Sequence, residues 1–159
     1  MYIPDMARLK KEIKLLENIS IHIGIQGTED SEVLKIAHVH EFGFTGTVDV
    51  TNKHGTTFKR RMNMPERSFI RASFEANKKI IERIVKEAVE EVVYNGKTTK
   101  QAANSIGRQC VGLVRNFIHQ DNVKPSSHLY SEQKRTFVTL YEEEGDHILN
   151  RITYTVEGI

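Results

Sequence analysis

Ile36-Ala-His-Val-His-Glu-Phe-Gly43 and, after a polar excursion, Met64-Pro-Glu-Arg-Ser-Phe-Ile-Arg71 decide how this chain is read. The first stretch closes a short periodic segment with an aromatic residue and a glycine, the residue type that best ends a helix. The second opens a long apolar repeat with Pro65, which suits the first turn of a helix or the approach to one. Between them, residues 44–63 carry Gly46, Gly55 and the run Lys59-Arg60-Arg61, with few apolar side chains. Val48 and Val50 alternate with polar neighbours, and Asn52-Lys53-His54-Gly55 has the residue types of a turn, so a hairpin is expected. Neither flank needs this excursion in order to fold, and it reads as a projecting arm. Two anchored ends around an exposed middle suit a surface that holds a partner better than they suit an active site.

Upstream of the arm, Met6, Leu9, Ile13 and Leu16 recur at helical spacing, which predicts an amphipathic helix over 5–17 capped by Asp5. Ile19, Ile21, Ile23 and Ile25 then alternate with Ser20, His22 and Gly24, the period of a strand with one buried face. A helix from Glu32 to Phe42, with Ser31 as its cap and Gly43 as its stop, completes this half. Downstream, Ile70, Phe74, Ile81, Val85, Ala88 and Val92 mark one face of a single helix reaching Tyr94, stopped by Asn95-Gly96. Thr98 with Gln101 forms a capping box for another helix, with Ala102, Ile106, Cys110, Leu113 and Phe117 directed inward. Residues 119–134 read as a long polar loop. Strands are expected at Thr136–Tyr141 and Arg151–Val156, joined through an acidic turn at Glu142–Asp146. The strands are too few and too unevenly spaced for repeated βαβ units. An α+β fold is expected, a small mixed and mainly antiparallel sheet backed by two or three helices.

The chain has 159 residues, 38% apolar and 28% charged, which fits one domain spanning 1–159 with a sizeable core. Its formal net charge of +2 gives no strong pull toward nucleic acid or membrane. The one cysteine excludes an internal disulfide framework and fits a reducing compartment. No apolar run approaches the roughly 20 residues that a membrane span requires, and no apolar signal core follows the N-terminus. The expectation is a soluble chain made in the cytoplasm.

His38-x-His40-Glu41 is the one metal-like cluster, with the Lys59-Arg60-Arg61 arm as a conceivable clamp on nucleic acid. On a helix, however, residues two apart diverge by about 200°, and a zinc site needs three or four converging ligands. Cys110 falls at a helical core position and reads as a buried thiol rather than a nucleophile. Ser126 and Ser127 lack the strand–turn–helix setting of a hydrolase, and Gly24-x-x-Gly27 lacks the third glycine of a phosphate loop. No catalytic residue, cofactor or metal is therefore expected. The cations Lys59, Arg60, Arg61, Arg67 and Arg71 suit phosphates or an acidic protein partner, without base-reading elements.

Taken in order, the two opening stretches and Leu149-Asn-Arg-Ile-Thr-Tyr-Thr-Val156 resemble the small tail-completion and virion-morphogenesis proteins of tailed bacteriophages and prophages. That family shows an Ala-x-x-His/Gln-Glu-Phe-Gly stretch, a Pro-x-Arg-x-Phe-Ile/Leu-Arg stretch and a closing Leu-x-x-Ile-x-Tyr-x-Val strand. The likeness spans residues 20–156. The chain departs from the pattern at Gly145-Asp146, where relatives often have Thr-Gly, and at Arg151, where they often have serine. What the resemblance implies is a non-enzymatic structural component of the virion, completing the tail or joining head to tail. Its implied place is the tail and neck of the virion, after assembly in the host cytoplasm. Its implied partners are further copies of itself in a ring, commonly sixfold, the tail tube protein, and head-closure or neck proteins. Non-specific contact with packaged DNA is open to the basic arm, and no membrane is involved. The residues expected to carry partner contacts are His40, Glu41, Phe42, Gly43, Lys59, Arg60, Arg61, Pro65, Arg67, Phe69 and Arg71. Glu41 and Arg67, of opposite sign on the two flanks, are candidates to pair within or between subunits, and Phe42 and Phe69 to pack at the base of the arm.

Overall fold

The computed structural model describes residues 5–29, 31–52, 54–120 and 148–159. In chain order these form α1 (Met6–Asn18), β1 (Ser20–Ile25), α2 (Ser31–Phe42), β2 (Phe44–Thr51), β3 (Thr57–Met64), α3 (Ile70–Ala76), α4 (Lys78–Tyr94), α5 (Thr99–His119), a helical turn α6 (Ile148–Arg151) and β4 (Ile152–Glu157). The fold is α+β. Its strands fall into two separate antiparallel pairs, β1 with β4 and β2 with β3. The expected strand 136–141, the turn 142–146 and most of the loop 119–134 lie outside the described residues. No helix among the described residues is long and apolar enough to cross a membrane.

The alternating isoleucines of β1 fold as their period demands. Ile21, Ile23 and Ile25 stand opposite Val156, Tyr154 and Ile152 of β4, and directly opposed residues share one face of an antiparallel pair. That face packs on α5, whose two sides are both used. One side meets the β1–β4 pair around Val111, Val114, Ile118 and Ile152; the other meets α4 around Ala88, Val92 and Ala102. Phe69, Val92 and Ile152 are fully buried and tie these layers together. The capping box of α5 is present, with the Gln101 N–H donating to Thr98 Oγ1 and the Thr98 N–H to Gln101 Oε1.

Two local expectations are corrected. The helix expected to run unbroken from Ile70 to Tyr94 is interrupted at Asn77, whose side chain donates to the Ser73 carbonyl at 2.8 Å. An asparagine that hydrogen-bonds nearby backbone competes with the helical ladder, and here the ladder breaks at it, with φ −103° and ψ 11°. In α1 the apolar stripe coincides with the buried face only in part: Leu9 and Leu16 are partly buried, Leu16 against the α4–α5 cluster, but Met6 and Ile13 are not. Met6 is 63% and Ile13 42% exposed, whereas Glu12 is only 7% exposed. The reason is polar docking. Glu12 Oε2 accepts the Thr99 N–H at 2.6 Å, Thr99 Oγ1 donates to the Glu12 carbonyl, and Arg8 donates to the Val92 and Lys97 carbonyls. The helix is thus turned to bring Arg8 and Glu12 against the end of α4 and the start of α5.

Candidate functional site

The two stretches that opened the sequence reading meet in space and form the root of the β2–β3 hairpin. α2 ends at Gly43, whose φ of 74° lies in the left-handed region. A Cβ there would come within 2.9 Å of the Glu66 nitrogen, so both the conformation and the space exclude a side chain. The returning chain is pinned by the Arg67 N–H, which donates to the His40 carbonyl at 2.8 Å. Pro65 directly follows β3 and sits before the short run that leads into α3. It ends the ladder rather than opening the helix, as a residue without an N–H does at a strand end.

Glu41 is the centre of the root. Its carboxylate accepts the Ser68 hydroxyl at 2.7 Å, the N–H groups of Phe69, Ile70 and Arg71 at 2.9–3.0 Å, and Arg71 Nε at 3.1 Å. The N–H groups at a helix start have no intrahelical acceptor, and a carboxylate from another helix satisfies them here while meeting the positive end of the dipole. Burial works against the charge on Glu41, but the Arg71 and Ile70 N–H groups, the Ser68 hydroxyl and the Phe69 N–H outweigh it and hold its pKa below the ordinary carboxylate value. Arg71 also donates to the Glu41 carbonyl and pairs with Glu66 at 2.8 Å.

The expected contact residues therefore divide. His40, Glu41, Arg67 and Phe69 are interior, none more than 6% exposed. The cation that meets the Glu41 carboxylate is Arg71; Arg67 lies beside His40. Burial, and then the neighbouring Arg67 charge, push His40 down to about 4, so its imidazole is neutral near pH 7. Phe69 is core, whereas Phe42 is 54% exposed, with the Arg71 guanidinium 4.7 Å over its ring and the His38 ring tilted against it at 4.8 Å. His38, His40 and Glu41 face different surroundings. Among the described residues no three His, Cys, Asp or Glu side chains converge as a metal site requires. Cys110 is buried, and burial raises its pKa, as expected of an inert thiol.

The hairpin itself stands outside this root. Its register runs from Phe44 opposite Met64 to Thr51 opposite Thr57, and Asn52 Oδ1 closes the turn by accepting the His54 and Thr56 N–H groups. Lys59, Arg60 and Arg61 are all exposed, yet they do not form one patch. Strand alternation puts Lys59 and Arg61 on the face of Asp49 and Thr47, and Arg60 on the other with Val48. Two residues were given no contact from sequence. Ser68 both donates to Glu41 and accepts the Ala72 N–H; its place just before an apolar repeat was a readable cap signal. Arg151, the departure from the family pattern, pairs with Glu29 at 2.5 Å and ties α6 to the segment before α2; nothing local announced that contact. No protein-family model, no curated protein and no solved structure matches this chain.

Proposed function

We propose that the chain is a structural virion protein of a tailed bacteriophage or prophage, a ring-forming subunit that completes the tail or joins head to tail. The observation that carries this reading is the pairing of an exposed antiparallel ribbon with a buried root knotted by the hydrogen bonds of Glu41. A rigid root fixes the direction of a projecting element, and a fixed direction is what repeated docking between identical subunits requires. The three stretches that resemble the tail-completion family coincide with this architecture: the first two build the root, and the third supplies α6 and β4. The partners in this reading are further copies of the chain, six in the family's common ring, with tail tube protein on one side and head-closure or neck proteins on the other.

Light scattering after size exclusion, with and without tail tube protein, tests the proposal. The expected result is a concentration-dependent oligomer, or an oligomer formed on the tube. A strict monomer indifferent to the tube protein would overturn it.

A second reading, an accessory DNA-binding protein, draws on one observation. Lys59 and Arg61 share a face with Thr45, Thr47 and Asn63, and a two-stranded ribbon fits the major groove. It predicts steeply salt-dependent binding to any duplex, lost when Lys59 and Arg61 are replaced by alanine. A metal-dependent version has less support, because His40 and Glu41 are committed to the root.

A further inference from the structure

We infer that the outer edge of β4, beside a cationic flank of α5, takes an acidic, extended segment of a partner protein as an added strand. The inference goes beyond the ring-subunit reading and does not rest on it. Among the described residues β4 pairs with β1 alone, so its second edge presents backbone N–H and C=O groups to no other described strand. Arg115 marks where that edge lies. Its Nη2 donates to the Ile152 carbonyl at 3.0 Å. Strand carbonyls lie in the plane of the sheet, so a donor from the helix beneath reaches one at the free edge. Further along, the Tyr154 hydroxyl donates to Asn104 Oδ1 at 3.0 Å, and the Tyr154 ring fills the place of a side chain on Gly107. β4 therefore runs along one side of α5, with Ile152 near Arg115 and Tyr154 near Asn104. Toward Val156 this contact opens into a cavity of about 520 Å³ lined by Lys100, Asn104, Thr153, Tyr154, Val156 and Ile159.

The charged side chains along this flank have one sign. Lys100, Asn104, Arg108 and Arg115 follow one another at spacings of four, four and seven, which keeps them on one side of the helix. Lys100 and Arg108 are exposed. α5 contains no aspartate or glutamate, and Lys100 carries the one charged side chain among the residues lining the cavity. The β1–β4 pair has one acidic side chain, Glu157, which stands with His22 on the face away from α5, 3.5 Å from it. Glu12 of α1 accepts the Thr99 N–H, and Glu87 and Glu91 of α4 border α5 at Ser105 and Gln109, a different side of the helix. An acidic strand matches this surface in two ways. Its backbone supplies the N–H and C=O partners that a sheet edge takes, and carboxylates at alternate positions meet the cations. Nucleic acid offers the charge without N–H and C=O groups at strand spacing, so the edge favours a protein partner.

The probes are dye-labelled peptides of about ten residues, one alternating glutamate with valine and one alternating lysine with valine, a length that covers a strand. Each is titrated with the full-length protein and followed by fluorescence anisotropy. The glutamate peptide is expected to bind at least tenfold more tightly than the lysine peptide, and more weakly as salt rises. A version methylated at every backbone nitrogen keeps the charge and loses the donors, and is expected to bind at least tenfold more weakly. Lys100→Glu combined with Arg108→Glu is expected to lose at least tenfold at an unchanged melting temperature, while Lys59→Glu combined with Arg61→Glu on the hairpin binds as wild type. Should the α5 variant fail to fold, the methylated peptide decides alone. Equal affinity for the two peptides, or binding that survives methylation, overturns the inference, as does a loss in the hairpin variant instead of the α5 variant. Absence of binding overturns it too, and exchange protection of every β4 amide, rather than alternate ones, would then show the chain itself covering the edge. If the α5 variant loses duplex DNA instead, the flank is a nucleic-acid surface and the inference falls. None of these readouts is an oligomer mass, so the ring reading stands or falls separately.

Discussion

The hairpin and its root are adjacent in sequence and built on opposite physics. The root is a closed polar knot: a buried carboxylate with its acceptor sites filled, a glycine with no room for a side chain, and a phenylalanine with no exposed surface. The ribbon is an open ladder whose side chains mostly face water and whose faces differ in polarity. Stability is concentrated in the first, and the second is free to vary its surface. The comparison teaches that a strongly patterned motif need not be the part that touches a partner. Here the pattern holds the base of the exposed ribbon.

Substitutions in the two regions should therefore separate sharply. Phe69→Ala is expected to cost about 3–5 kcal/mol of unfolding free energy, because it empties the fully buried junction; urea titration followed by circular dichroism measures it. Glu41→Gln keeps the shape but replaces a charged acceptor of five donors with an amide that brings donors of its own, and should cost on the order of 3 kcal/mol. A loss below about 0.5 kcal/mol would mean that the knot is not what holds the hairpin's root. At the other extreme, Lys59→Ala, Arg60→Ala and Arg61→Ala should each change stability by less than about 0.5 kcal/mol. Their effect is expected in assembly.

Acid sharpens the same contrast. His40 binds its proton less readily in the folded state than in the unfolded chain, with a folded pKa of about 4. Above the unfolded value, roughly 6.5, neither state is protonated and the site is neutral to stability. Between that value and about 4 the unfolded chain takes up a proton that the native root refuses, so stability falls as pH falls. Glu41 and Glu12 have lowered pKa values, so their stabilisation is present above the ordinary carboxylate range and is lost as pH drops through their folded values. Both effects have one sign, and the protein should weaken in two stages on acidification. His40→Gln should flatten the first stage by about 3 kcal/mol and leave the second, which chemical denaturation at pH 7, 5 and 3 would reveal.

Glu12 and Glu41 do the same task at two joints, and neither role was legible in the sequence. Each accepts backbone N–H at the start of a helix distant in sequence, Glu12 from Thr99 at α5 and Glu41 from Phe69, Ile70 and Arg71 at α3. Glu12 in particular reads as one more charge on a solvated face, and of the apolar stripe only Leu9 and Leu16 turn inward, while Met6 and Ile13 stay exposed. A periodicity count weighs transfer free energy alone. It does not register a polar side chain whose burial is offset by a hydrogen bond to a helix end formed elsewhere. The same limit applies to the knot, where Glu41 reads as a partner contact or a mate for Arg67, because the N–H groups that it accepts lie beyond the intervening hairpin.

What the sequence by itself determined is what local physics controls: the caps at Asp5 and Thr98, the stop at Gly43, the period-two strand of isoleucines and the Asn52–Gly55 turn. Each depends on contacts within a few residues, so residue type and spacing suffice. Only the tertiary structure decided which carboxylates are interior, that Asn77 divides one apolar repeat into two helices, and that β1 pairs with β4 from the far end of the chain. Those outcomes turn on polar groups finding partners at long range, and one sequence gives no measure of which distant groups will meet.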